Sequence, residues 1–95
     1  MTDLRREASR GMRAKAILED EIVTEALDAI EAELRANWEG SRTDDAAGRE
    51  DAYRMLRAAK AFRERLRKVI DDGAVAQAEI EANERAQRRK KGDSE

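Results

Sequence analysis

The chain of 95 residues contains no cysteine, no histidine and no proline, and Trp38, Tyr53 and Phe62 are its only aromatics. Without cysteine or histidine there are no disulfides, no thiolate chemistry and neither of the common soft zinc ligands. Without proline, nothing in the chain is barred from the interior of a helix. No apolar run approaches the roughly 18 to 20 residues needed to span a bilayer. The N-terminal arginines are not followed by the apolar block of a signal peptide. This pattern predicts a protein that stays in the cytoplasm of the cell that makes it. The scarcity of large side chains matters most for stability. Eighteen of the apolar residues are alanine, and an alanine methyl buries little area. Burial at roughly 25 cal/mol per Å² must offset roughly 1.5 kcal/mol of ordering entropy per residue, and for small chains that balance comes out near zero. Self-association is the usual remedy.

What remains is rich in Ala, Glu, Arg and Leu, with 44% of residues charged. This is a composition of strong intrinsic helix propensity. The five glycines then act as punctuation. They divide the chain into helices over about 3–18, 21–38, 45–71 and 74–90. Asp20 suits the N-cap of the second helix, beside Glu21 at the positive end of its dipole, although nothing forces a break there. In the stretch EGSRTDD, Gly40 suits a helix C-terminus, and Thr43, Asp44 or Asp45 can cap the third helix. Gly73 marks the last break. The expected organisation is a single all-helical domain over 1–91, with a hairpin core at about 21–71 and a disordered tail at 92–95.

Periodicity pairs the middle helices. Val23, Leu27, Ile30 and Leu34 recur at steps of four, three and four, and Met55, Ala59, Phe62, Leu66 and Val69 continue that seam in the third helix. A short loop between two such seams predicts antiparallel neighbours. Charge agrees. Residues 19–51 hold twelve acids against three bases, a net of −9, and residues 52–70 hold seven bases against one acid, a net of +6. Pairs such as Glu25 with Arg65 and Glu33 with Arg57 fit between an acidic and a basic helix. The fold class is thus all-α, an antiparallel helical hairpin with additional N- and C-terminal helices, oligomeric because its core is thin.

No constellation for catalysis, cofactor or metal emerges. The hydroxyls sit in no catalytic spacing, and Ser41 and Thr43 fall in the turn, where such side chains bond the backbone. Gly40 and Gly48 lack the ending of a phosphate-binding loop. The carboxylate groups Glu19–Glu21, Asp44–Asp45 and Asp71–Asp72 stand at expected helix starts or ends, where carboxylates or turn formers are usual, and no alternating calcium loop is present. Two basic features remain. Arg85, Arg88, Arg89, Lys90 and Lys91 form a C-terminal tract suited to nucleic acid or an acidic partner, or simply to the negative end of a helix dipole. Leu4, Met12, Ala16, Ile17 and Leu18 give the N-terminal helix a short apolar face between arginines, better suited to docking on protein than on membrane. A net charge of −2 speaks against nucleic-acid binding as the dominant property of one chain.

From Ala14 to Glu81 the residues resemble a group of short phage and prophage proteins. The resemblance rests on the ILED step into an acidic helix, Trp38 near that helix's end, the DDAAGRE loop, and a helix closing before Asp72–Gly73. It covers about two thirds of the chain. A proline often follows the LED in that group, where this chain has Glu21. Such proteins are similar to others found among virion-assembly and DNA-packaging genes, and small terminase subunits are comparable in size and helical content. The resemblance implies a non-enzymatic assembly protein, in the bacterial cytoplasm or the virion, acting by self-association and by binding a phage or host protein, with nucleic acid or an acidic partner at its basic tail and no small-molecule substrate. The alternative from a different class is a small acidic inhibitor of a host protein, motivated by the −9 segment.

Overall fold

The computed structural model describes residues 3–93, and all regular structure among them is helical: α1 (Leu4–Glu19), α2 (Glu21–Glu39) and α3 (Ala46–Asp93). The caps arise from side-chain chemistry. At the start of α1, Asp3 Oδ1 accepts from the backbone N–H of Arg5 and Arg6. Asp20 is extended, with ψ 122°, and its carboxylate accepts from Ile22 N–H and Val23 N–H at 2.9 and 3.1 Å. That cap separates α1 from α2 where neither glycine nor proline stands. Gly40 ends α2 by donating its N–H to the Ala36 carbonyl, and Ser41 Oγ donates to the Trp38 carbonyl at 2.7 Å. Asp45 then opens α3 by accepting from Gly48 N–H. Asp20→Ala is expected to cost about 1 kcal/mol, the usual loss for a deleted N-cap. Thermal unfolding followed at 222 nm measures it, and an unchanged midpoint would show that the cap contributes nothing.

The expectation of a fourth helix fails at Gly73. The residue lies inside α3 with φ on the ordinary negative side, and the helix runs on through Asp93. A helical glycine costs only about 1 kcal/mol relative to alanine, which its neighbours readily outweigh. Asp93 also lies within the tail expected to be disordered, of which 94–95 fall outside the described residues.

The chain forms two compact units. One joins the residues up to Ala16 with those from Arg67 onward, and the other is Ile17–Leu66. In the first unit, Asp3, Leu4 and Arg5 lie beside Ile80, Asn83 and Gln87, while Lys15 lies beside Ile70, so α1 runs opposite to this part of α3. The contact uses the smallest side chains available. Ala8, Gly11 and Ala14 of α1 are buried, as are Gly73 and Ala76 of α3. At the crossing, a Cβ built on Gly11 would stand 2.8 Å from Gly73 Cα, and one on Gly73 would stand 2.7 Å from Gly11 Cα. The expected apolar face of α1 is therefore displaced. Leu4 and Leu18 are half-buried, but Met12, Ala16 and Ile17 are exposed, because close approach of two helices selects glycine and alanine over bulk.

Candidate protein-binding surface

Within Ile17–Leu66, each helix presents one stripe inward. On α2 it comprises Val23, Leu27, Glu31 and Leu34; on α3 it comprises Ala52, Leu56, Ala59, Arg63 and Leu66. Leu34 and Ala52 are buried and the others half-buried. Steps of three and four between these positions keep each set on one helical face. Of the residues assigned to the seam from periodicity, Val23, Leu27, Leu34, Ala59 and Leu66 lie in these stripes.

Three do not. Ile30 is 48% exposed, Met55 59% and Phe62 50%. Val69 is half-buried but belongs to the other unit, where its carbonyl lies close to Gly11. The periodic pattern marked an apolar strip wider than one contact, and the inward rotation of α3 passes through Leu56 and Arg63 instead of Met55 and Phe62. Ile22 is also exposed, at 71%. On α2, Ile22, Ala26 and Ile30 recur at steps of four, and on α3, Met55, Ala58 and Phe62 recur at steps of three and four. Each helix therefore carries a second apolar stripe beside its inward one, and this second stripe faces outward.

Arg63 explains the choice of register. Its Nε donates to Glu31 Oε1 at 2.7 Å and an Nη to Asp28 Oδ1 at 2.8 Å. The Arg63 and Glu31 side chains are 17% and 19% exposed, whereas Asp28 is largely in solvent. Partial desolvation pulls the Arg63 pKa down, but its hydrogen bonds to Glu31 and Asp28, and their charges, outweigh this and raise it above the ordinary arginine value. With the folded-state value raised, the arginine's contribution is complete below the ordinary arginine range and is lost only as pH rises through the folded value. No neutral or mildly alkaline buffer removes it. The expected Glu25–Arg65 and Glu33–Arg57 pairs are not among the ion pairs of the described residues; one arginine bonded to two carboxylates takes their place.

Arg63→Met is expected to destabilise the chain, because Glu31 then stays in the contact without its partner. Adding Glu31→Met is expected to recover most of the loss, since removing one partner of a semi-buried pair costs more than replacing both by apolar groups. Urea unfolding midpoints decide this, and a double variant weaker than the single one would contradict it.

Arg85, Arg88, Arg89, Lys90 and Lys91 are all exposed on the last turns of α3. Val75 is 62% exposed, while Ala76 at 1% is buried beside it. No group of described Asp and Glu side chains is arranged to hold a metal ion, and no described helix is long and apolar enough to cross a membrane. No family model, curated protein or solved structure matches this chain. Its own surface is therefore the basis for a functional reading. The most distinctive part of that surface is the outward apolar stripes of Ile17–Leu66.

Proposed function

We propose that this is a non-enzymatic, phage-derived helical assembly protein, a small-terminase-like component or head-assembly adaptor that acts by self-association and by binding a phage or host protein. Its binding element is the Ile17–Leu66 unit, read as an antiparallel hairpin of α2 and the first half of α3. The observation that carries the reading is the exposure of Ile22, Ile30, Met55 and Phe62 beside a contact that buries little more than Leu34 and Ala52. Large apolar side chains gathered on one face of a small helical unit are the usual mark of a protein-binding surface. A core this thin also gains most from a partner. The exposed tract from Arg85 to Lys91 supplies five bases and no acid within two turns. That charge density suits phosphate oxygens or an acidic partner.

The test is molar mass by light scattering at tens of micromolar, with and without a DNA duplex in low salt. A defined oligomer whose mass shifts with DNA is expected, and the shift should fade as salt rises, because neutralised phosphates release their counterions. A stable monomer indifferent to DNA would overturn this reading and favour the acidic inhibitor.

A further inference from the structure

We infer that the outward apolar side of the hairpin is covered by a second copy of this chain, with α2 of one copy lying across the first half of α3 of the other. The inference rests on the self-association reading above and specifies its geometry.

Helical phase comes first. At 100° per residue, Ile22, Ala26 and Ile30 lie to one side of the inward stripe of α2, and Met55, Ala58 and Phe62 lie to one side of the inward stripe of α3. In an antiparallel pair of right-handed helices, these two displacements bring both stripes to the same side of the hairpin. The opposite side is closed by Arg63 reaching across to Asp28. One side is thus sealed by ions and the other left apolar.

The patch has the scale of an interface. Ile22, Ile30, Met55 and Phe62, each about half exposed or more, together with Ala26 and Ala58, present on the order of several hundred Å². One partner in a stable complex contributes about 800 Å². Two such hairpins face to face make a four-helix arrangement with an interior that neither possesses alone.

Charge selects the orientation. α2 belongs to the segment of net charge −9 and the first half of α3 to the segment of net charge +6. One turn beyond Ile30 the stripe of α2 ends in Glu33, and one turn beyond Phe62 that of α3 ends in Arg65. A two-fold axis perpendicular to the helices stacks acidic on acidic and basic on basic. An axis parallel to them places each acidic helix over a basic one and preserves levels along the helices. The bond from Arg63 to Glu31 puts Ile30 and Phe62 at one level. Under the parallel axis, Ile30 of one copy therefore meets Phe62 of the other.

The chain has no native cysteine, so the arrangement can be read by cross-linking. Ile30→Cys is mixed with Phe62→Cys carrying a tag of different mass, and a short bismaleimide with a reach below one helix diameter (about 10 Å) is added. Both positions are exposed in the single chain, so the substitutions leave its packing intact, which circular dichroism checks. The expected result is a mixed cross-linked species at least tenfold more abundant than either homodimer, and none when Tyr53→Cys replaces Phe62→Cys. Cross-linked Ile30→Cys homodimers in excess would overturn the geometry. So would the absence of cross-links while light scattering reports an oligomer of the mixed cysteine variants themselves, in which case association proceeds through another surface and the assembly reading survives. A monomeric mass for the unsubstituted chain would remove both.

Discussion

Gly11→Leu is expected to separate α1 from α3. The first atom of any side chain at Gly11 meets the Cα of Gly73 at 2.8 Å and the Val69 carbonyl oxygen at 3.1 Å. Both are backbone and neither can swing aside. Even alanine must push the helices apart. Overpacking of this kind costs about 1–3 kcal/mol, against about 1 kcal/mol gained from better helix propensity. Gly11→Ala and Gly73→Ala should therefore each destabilise modestly, or come close to balance. Leucine adds volume with no gain in propensity over alanine, and its expected cost is about 3 kcal/mol or more, enough to free α1 altogether. Gly92→Ala is the control. Nothing lies within 4 Å of a Cβ there, so the same change should be neutral or slightly stabilising. Amide hydrogen exchange separates the outcomes: in Gly11→Leu, protection should fall along α1 and persist in α2. Unchanged protection in α1 would mean that the helices do not meet at Gly11. The two glycines share one contact, so the double alanine variant should not show the sum of the single effects.

On the proposed self-association, Ile30→Glu combined with Phe62→Glu is expected to give a monomer. Both side chains are about half exposed in the single chain, so a charge there costs the isolated fold little. Each position occurs twice in a symmetric pair, and every large apolar anchor lost from the centre of an interface costs roughly 2 kcal/mol or more. Since about 1.4 kcal/mol is a tenfold change in affinity, the dissociation constant should rise by more than a hundredfold. Light scattering over a dilution series reads the effect directly. Tyr53→Glu supplies the comparison. Tyr53 is 49% exposed, on a different face of α3 with Arg57 stacked 5.9 Å from its ring centre. Its variant should keep the parent mass, and equal loss from Tyr53→Glu would point to general destabilisation instead of a specific surface.

Much was legible in the amino-acid sequence because it depends on local chemistry. The absence of proline and the wealth of Ala, Glu, Arg and Leu determined that the described chain is helical. Asp20, and the trio Thr43, Asp44 and Asp45 from which the structure selects Asp45, marked helix starts because a short side-chain oxygen bonds the free N–H groups of a first turn wherever it stands. Gly40 marked a helix end for a similarly local reason. The opposite charges of α2 and the first half of α3 foretold that an ion pair would join them.

Register and close approach were decided only in three dimensions. Periodicity marks every apolar position on a helix but does not say which part of a wide stripe turns inward. Ile30, Met55 and Phe62 fit the pattern as well as Leu56 does, and the choice fell to Arg63, which satisfies Glu31 and Asp28 together only when α3 is rotated to bring it into the contact. Gly73 reads as a helix break because glycine is a poor helix former. Inside α3 it meets Gly11, far away in sequence, where two missing side chains let two backbones touch. A sequence records that both glycines lack a Cβ; only the tertiary structure decides that they lack it at the same point in space.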